Sequence, residues 1–174
     1  MDSSCKIAVI VVVYNKSCKE SITCQALKAL RHTKVSVLVY DNSVRDFGNA
    51  SYCEKQEWIY FSQGENVGIS KAYNVCVDHL KKYMLADYLC LFDDDTDISE
   101  EYFDALNSAI NDNGADIYVP LVFSAGRLLS PCKIKSNFNV SMFKDEQEAL
   151  LYNGRDITCL LYTSPSPRDL STSR

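Results

Sequence analysis

Short apolar runs recur along the chain, and five of them predict β-strands. Residues 7–13 (IAVIVVV) are continuously apolar and mostly β-branched, which is typical of a strand buried on both faces of a parallel sheet. Later runs are 35–40 (VSVLVY), 58–61 (WIYF) and 88–92 (YLCLF). Residues 116–123 (DIYVPLVF) predict one further strand.

The segments between these runs carry apolar residues at helical spacing. Residues 17–31 and 70–83 each predict a crossover helix, and 99–110 predict another with Ser99 as N-cap. A polar loop is expected before Trp58. Alternating strands and helices predict an α/β fold, a Rossmann-like, mostly parallel sheet flanked by helices.

The sequence changes character at its end, where residues 159–174 are rich in Ser, Pro and Arg and lack periodicity. The string CLLYTSPSPRD at 159–169 resembles the translation of the transposase adapter used in sequencing libraries. We therefore expect 159–174 to be a disordered artefact and 1–158 to be one C-terminally truncated domain. On this interpretation the natural reading frame continues beyond residue 158. A native Ser/Pro linker is the alternative.

Charge and composition exclude several classes of function. A net charge of −5 argues against nucleic acid as a partner. No run approaches the roughly 20 apolar residues of a membrane span, and no signal peptide is evident. We therefore expect a cytoplasmic location. This location is compatible with peripheral association of the full-length protein with the inner face of the membrane. The eight cysteines contain no C-x-x-C pair, so we expect reduced, structural thiols.

Polar residues follow three of the predicted strands: residues 14–15 (YN), 41–43 (DNS) and 93–95 (DDD). In open α/β sheets, ligands bind outside the carboxyl ends of the strands. The sequence therefore predicts that these three segments converge on one site.

The triple aspartate is the sharpest of these signals. Adjacent carboxylates repel one another, and a hard divalent cation such as Mg²⁺ or Mn²⁺ relieves the repulsion. Alternate residues of an extended segment face the same way, so Asp93 and Asp95 would act together while Asp94 points elsewhere. A solvated acidic loop is the alternative.

Other candidates have two interpretations each. Asp41 suits a ribose or nucleobase contact, or an Asx turn with Asn42 and Ser43. The segment 66–74 (NVGISKAYN) predicts a turn opening a helix, where Gly68 allows close backbone approach and Lys71 and Asn74 share a face. These features also suit a capped helix with a solvated lysine.

Aromatic residues offer a further possibility, since Tyr14 and Trp58 are candidates for stacking on a base, although an aromatic at a strand end is more often core or rim. No G-x-S-x-G, P-loop or G-x-G-x-x-G motif occurs, so neither a hydrolase triad nor a dinucleotide site is supported.

Five segments in order carry a resemblance to a known family. They are IAVIVVVYNK, VLVYDNS, NVGISKAYN, FDDDT and IYVPLVFSAGRLLSP, between residues 7 and 131. The chain resembles family 2 glycosyltransferases of the GT-A fold, nearest to the rhamnosyltransferase-like branch that builds bacterial cell-surface polysaccharides.

The resemblance implies a nucleotide-sugar site formed by Val13, Tyr14, Asn15, Asp41, Asn42, Asn66, Gly68, Lys71, Asn74, Asp93 and Asp94. Tyr14, Asn15 and Asp41 would hold the nucleobase and ribose. Gly68, Lys71 and Asn74 would border the nucleotide and its pyrophosphate. Asp93 and Asp95 would be the D-x-D pair for Mg²⁺ or Mn²⁺, with Asp95 as the direct ligand and Asp93 nearer the ribose.

The implied reaction moves a sugar from a UDP- or dTDP-linked donor to a hydroxyl of a glycan or lipid-linked acceptor, with inversion. In the family the catalytic base lies well downstream of the D-x-D pair. After Pro131 only Asp145, Glu146 and Glu148 are present, and we expect them to be surface charges. No catalytic base is therefore assigned, and this fragment is expected to be inactive.

Other functional classes fit less well. A nucleotide-binding module without transfer activity remains the main alternative. A receiver-like signalling domain would carry its acidic pair after the first strand, whereas here the acidic cluster follows the fourth. A nucleotidyltransferase would normally begin with a Gly-rich loop, which is absent after Val13.

Overall fold

The computed structural model describes residues 5–134, 140–152 and 157–158. Within it the chain divides into two units, Met1–Gly114 and Ala115–Arg174. Residues 159–174, for which we predicted an adapter-derived artefact, lie outside the described residues.

Four parallel strands form the sheet of the first unit. They are β1 (Ile7–Val13), β2 (Val35–Asp41), β3 (Ile59–Ser62) and β4 (Tyr88–Asp93), in the order β3-β2-β1-β4. The predicted α/β class and these four strands are confirmed, with boundaries that move by a single residue. β1 lies between β2 and β4 and is buried along its whole length, as its continuously apolar sequence predicts for a strand covered on both faces.

Four helices connect these strands or follow them: α1 (Ile22–Ala29), α2 (Asn49–Lys55), α3 (Ile69–Tyr83) and α4 (Glu100–Asn113). Helix α1 begins later than the predicted 17–31, because the backbone N–H groups of Glu20 and Ser21 bond to Ser17 O in a preceding turn. Helix α2 lies in the segment predicted to be only a polar loop. Its seven residues are too few for a clear helical period.

The core of the first unit forms on the two faces of the sheet. All seven residues of β1 are buried. On one face, Ala8, Ile10 and Val12 of β1 cluster with Leu38 and Tyr40 of β2. The same cluster contains three buried residues of α3, namely Ala72, Cys76 and Leu80.

The cysteines behave as expected of small apolar side chains. Seven are free thiols within the described part of the chain, and six of those are buried. Burial raises the pKa of Cys76 to about 12, so this thiol stays protonated at neutral pH.

The second unit is built from short antiparallel strands. Strands β5 (Val122–Ser124) and β6 (Arg127–Ser130) form a hairpin. The hairpin turn is Ala125-Gly126, and both residues have positive φ, as a tight two-residue turn requires. Strand β7 (Cys132–Ile134) pairs with β8 (Val140–Met142) and β9 (Ile157–Thr158), and α5 spans Glu146–Leu150.

The prediction of a strand over 116–123 is wrong for most of its length. Only residues 122 and 123 of that segment are in a strand, and their partner is antiparallel. Pro120 has no N–H to donate to a sheet. Ile117 is 79% exposed, so the apolar character of this run does not reflect burial within the chain.

No helix among the described residues is both long and apolar enough to cross a membrane.

The packing of β2 against α3 yields a test of the core. Leu38 is completely buried there, so Leu38→Ala should lower the free energy of unfolding by about 2–5 kcal/mol, from lost apolar burial and a residual cavity. Urea denaturation followed by circular dichroism measures the change. Val44→Ala is the control, because Val44 is exposed and its truncation should alter stability by less than about 0.5 kcal/mol. Equal effects of the two substitutions would contradict the described packing.

Candidate functional site

The carboxyl ends of the strands lie in register at one edge of the sheet. Val13 at the end of β1 is opposite Asp41 of β2, and Val12 is opposite Asp93 of β4. Asp41 is in turn opposite Ser62 of β3. The three polar segments that follow β1, β2 and β4 therefore begin at a common edge, as the sequence predicted.

The segments after β1 and β2 are bonded to each other. The Asn15 N–H donates to Ser43 Oγ at 2.8 Å, and the Asn42 N–H donates to Val13 O at 2.8 Å. Asn15 has a φ of 50°, in the left-handed region that asparagine tolerates better than most residues. Tyr14 is half-buried and Asn15 is exposed, so both remain accessible to a ligand.

The Asp41 carboxylate accepts hydrogen bonds from three groups of the protein itself. Its Oδ1 accepts from the Ser43 N–H at 3.0 Å, which forms the Asx turn considered above. Its Oδ2 accepts from Asn49 Nδ2 at 2.7 Å and from the Tyr60 hydroxyl at 3.2 Å. Burial, together with the Asp41 charge, raises the pKa of Tyr60, which keeps that hydroxyl a donor. Asp41 is only 3% exposed, so little of its carboxylate is open to a ligand.

Asn49, the first residue of α2, joins Asp41 to the segment after β1. In addition to its bond to Asp41, its Nδ2 donates to Lys16 O at 3.0 Å, and its Oδ1 accepts from the Cys18 N–H at 2.7 Å. The side chain is buried. Sequence reasoning missed Asn49 because it lies in the segment predicted to be a loop. Tyr52 and Cys53, apolar residues at helical spacing from it, were the available signal.

The turn before α3 is bonded to the end of β2. Asn42 Nδ2 donates to Asn66 Oδ1 at 2.8 Å, and Asn42 Oδ1 accepts from the Val67 N–H at 2.8 Å. The Gly68 N–H also donates to Asn66 Oδ1, at 3.0 Å. Gly68 has a φ of 82°, which other residues rarely adopt, so glycine is required for this entry into α3.

Lys71 and Asn74 share one face of α3, as predicted from their spacing, and both are exposed. The Lys71 ammonium lies 3.5 Å from Gln63 Oε1.

Residues 93–96, which we call the acidic loop, give each aspartate a different environment. Asp93 is half-buried and Asp95 is exposed. Asp94 is only 2% exposed, and its Oδ1 lies 3.1 Å from Lys16 Nζ. The angles of that contact do not suit a hydrogen bond, so charge attraction holds the pair. Asp94 thus forms an ion pair with Lys16, whereas the resemblance implied that Asp94 contacts the nucleotide sugar.

Two buried hydroxyl groups, one in α1 and one at its N-cap, hold the backbone of the acidic loop. Ser21 Oγ donates to Asp94 O at 2.7 Å, and Thr23 Oγ1 contacts both Asp93 O and Thr96 O. The Thr96 N–H donates back to Thr23 Oγ1 at 2.8 Å. Ser21 is also the N-cap of α1, accepting from the Cys24 N–H at 3.1 Å. The sequence predicted a helix in this part of the chain, but nothing in its pattern indicated that the start of α1 bonds to the acidic loop.

The acidic loop has the donor chemistry that a hard cation prefers. Mg²⁺ typically takes one or two protein carboxylates and completes its shell with phosphate oxygens and water. Asp95, exposed beside the half-buried Asp93, offers such oxygens. No group of three or more His, Cys, Asp or Glu side chains that could hold a metal occurs within the part of the chain that the structure describes.

Trp58 does not belong to this site. It precedes β3, at the amino ends of the strands, and its ring packs edge-on against Tyr52. It lines a cavity of about 270 Å³ with Val35 and Ile59, the first residues of β2 and β3. Trp58 therefore lies at the opposite edge of the sheet from the acidic loop, in a rim position of the kind that was the alternative to stacking on a base.

The acidic residues of the second unit have structural partners. Asp145 is the N-cap of α5 and accepts from the Glu148 N–H at 2.8 Å. Glu148 is half-buried, forms an ion pair with Lys133 and accepts from the Lys144 N–H at 2.7 Å. Lys133 is the main cause that holds the pKa of Glu148 below its ordinary value. Asp145 and Glu146 are exposed, whereas Glu148 is an internal partner rather than a simple surface charge.

The bonding around Asp41 predicts a structural effect of its neutral analogue. Asp41→Asn places an N–H₂ group among three donors, so we expect the free energy of unfolding to fall by about 1–3 kcal/mol. Thermal and urea denaturation measure it. The matched control is Asp46→Asn, since Asp46 is exposed and Asn keeps the Oδ1 that accepts from the Gly48 N–H. An Asp41→Asn protein as stable as the control would show that the three contacts do not hold in solution.

Comparison with solved structures identifies similar folds. The structure of S. aureus TarS 1-349 in complex with UDP matches 73% of this chain with a TM-score of 0.52 and 20% identity, and this match covers 40% of that chain. The complex of the same protein with UDP-GlcNAc gives a TM-score of 0.51 and 19% identity, over 73% of this chain and 39% of that one. The chain therefore spans about two fifths of the length of these TarS structures, and at this identity the likeness is one of fold.

Comparison by sequence gives the family. None of the curated proteins matches the chain. The model of glycosyl transferase family 2 matches residues 8–161, which is most of the sequence. The chain belongs to glycosyltransferase family 2.

Proposed function

We propose that this chain is the donor-binding part of a glycosyltransferase that transfers a sugar from a nucleoside diphosphate, with UDP or dTDP as the carrier. The observation that carries the proposal is the register of β1, β2 and β4, which brings Tyr14, Asn15 and the acidic loop to one edge of a parallel sheet. Ligands bind at that edge in folds of this type. The similar TarS structures contain UDP and UDP-GlcNAc, which supports a uridine nucleotide as the first ligand to test.

The nucleoside would lie against the exposed parts of the segments after β1 and β2. Tyr14 and Asn15 are accessible there, whereas Asp41 and Asn42 are buried and engaged by Asn49, Asn66 and their neighbours. A carboxylate has about four lone-pair sites, so the three internal donors leave Asp41 capacity for one more. Its main role in the proposal is to fix the two segments, with at most one bond to the nucleoside.

The diphosphate would lie between the start of α3 and the acidic loop. The N-terminal end of a helix attracts anions through its free N–H groups and its dipole. Gly68 keeps the entry to α3 open, because no side chain projects from it, and Lys71 and Asn74 are exposed in the first turns of the helix. These features suit a pyrophosphate that approaches the backbone closely.

Asp95, with Asp93, would hold Mg²⁺ or Mn²⁺ at the acidic loop. When bound, the cation would supply positive charge to the diphosphate as it leaves. Asp94 is excluded from this role by its burial against Lys16. An acceptor hydroxyl, from a glycan or a lipid-linked molecule, would attack the anomeric carbon with inversion, after losing its proton to a base. We assign that base to no residue of this chain.

Calorimetric titration with UDP, with and without Mn²⁺, tests the proposal. We expect Mn²⁺ to strengthen UDP binding. Asp95→Asn should lower the UDP affinity measured with Mn²⁺ by about tenfold or more, because the cation loses a charged ligand. Binding without Mn²⁺ should be unaffected by the substitution. dTDP and GDP, titrated in parallel, identify the preferred base.

Asp112→Asn is the matched control for Asp95→Asn. Asp112 is an exposed aspartate in the last turn of α4, and its substitution should leave every affinity unchanged. If Asp95→Asn retained the full effect of Mn²⁺, the metal assignment would be wrong. If none of the three nucleotides bound the wild-type chain, the donor-binding proposal itself would fail.

A further inference from the structure

We propose that Thr23 of α1 is a positioning residue for the acidic loop, assisted by Ser21, and that its hydroxyl sets the orientation from which Asp95 binds the cation. This inference rests on the proposed function, which used α3 and the acidic loop, and it adds residues at the start of α1. It concerns how the metal-binding carboxylates are oriented before any ligand arrives.

The Thr23 hydroxyl contacts both ends of the acidic loop. Its oxygen lies 3.0 Å from Thr96 O and also contacts Asp93 O, so its single proton can be shared between the two carbonyls. Its lone pairs accept the Thr96 N–H at 2.8 Å. One side chain therefore bonds to both the first and the last residue of the segment that contains Asp94 and Asp95.

Ser21 fixes the middle of the same segment. Its hydroxyl donates to Asp94 O at 2.7 Å while its oxygen caps α1 through the Cys24 N–H. Ser21 and Thr23 are both 0% exposed. Because a buried hydroxyl that loses its partner is costly, these bonds favour one backbone conformation of the loop over others.

The backbone of the loop and the Asp94 side chain are held from other elements, whereas the Asp95 side chain is exposed. The backbone carbonyls of Asp93, Asp94 and Thr96 are held by α1, and the Asp94 side chain is held by Lys16. Asp95 is exposed. Residues that orient a metal ligand without touching the metal typically alter metal affinity by 10–100-fold when substituted. Thr23 would act in the same way, but through the backbone of residues 93 and 96 rather than through the Asp95 carboxylate itself.

The experiment compares Thr23→Val with Thr23→Ser in the full chain. Valine keeps the shape of threonine but removes the hydroxyl, whereas serine keeps the hydroxyl. We expect Thr23→Val to weaken Mn²⁺-dependent UDP binding by about tenfold, with Thr23→Ser close to wild type. UDP affinity without metal should be the same in all three proteins, which a general loss of structure would not allow.

Leu27→Val is the matched control for stability. Leu27 is buried on the same helix, and the substitution should destabilise α1 without touching a hydrogen bond of the acidic loop. Its Mn²⁺-dependent UDP affinity should equal that of wild type. Hydrogen exchange at the Thr96 amide should be faster in Thr23→Val than in Leu27→Val, because only the former removes its acceptor.

The outcomes separate this inference from the proposed function. If wild type binds UDP with Mn²⁺ and Thr23→Val binds equally well, Thr23 has no positioning role. If Thr23→Ser loses affinity as valine does, the hydroxyl is not the cause and the inference is also overturned. If wild type shows no metal-dependent binding, the proposed function fails first. Should Thr23→Val not fold, Thr23→Ala measured in the same way decides between the same outcomes.

Discussion

The burial of β1 between β2 and β4 is the constraint on which the rest of the first unit depends. A strand with parallel neighbours on both sides and a layer on each face cannot expose any side chain, and all seven residues of β1 are buried. β1 pairs in parallel with β2 over all seven of its residues and with β4 over six, so both neighbours share one register with it. The register in turn aligns Val13 with Asp41 and Val12 with Asp93. The position of the candidate site is thus a consequence of core packing.

Alignment of the strands does not by itself fix the loops beyond them. Each loop is held by a buried polar side chain that reaches it from another element: Asn49 of α2 holds the segment after β1, and Thr23 of α1 holds the acidic loop. Buried polar groups that lose their partners cost about 1–3 kcal/mol each, so such bonds select one loop conformation strongly. The two side chains act on opposite sides of β1. They therefore fix the segment after β1 and the acidic loop in place beyond the strand ends.

The parts of this fold that follow from local pattern could be predicted, and those that follow from distant contacts could not. The four parallel strands and α3 carry strong periodicity, and their positions agree with the structure within one residue. The run at 116–123 is equally apolar, but Pro120 and its exposed neighbours make it a strand only at its end. Apolar character identifies burial only where a partner exists, and the sequence of a single segment does not contain its partner.

The same distinction applies within the site. Sequence reasoning placed the three aspartates at a strand end and assigned alternate ones to the ligand, from the geometry of an extended chain. In the structure the strand ends at Asp93, and Asp94 and Asp95 form a turn in which Asp94 is buried and Asp95 is exposed. The partner of the buried Asp94 is Lys16 in the segment after β1, which the local pattern could not indicate. Thr23 and Asn49 were missed for the same reason, because their partners are distant in the sequence. Thr96 is 73 residues from Thr23, and Lys16 is 33 residues from Asn49.

The pairing of Lys16 with Asp94 also accounts for how three adjacent acids persist in one short loop. A buried aspartate without a counter-charge would be neutralised or would destabilise the fold, and a neighbouring carboxylate would make both effects larger. Lys16 offsets the charge of the buried member, and solvent screens the exposed Asp95. The charges of the loop are therefore balanced within the protein itself. The cation of the proposed function would meet a backbone that α1 already holds, which is the arrangement that favours binding to a preformed site.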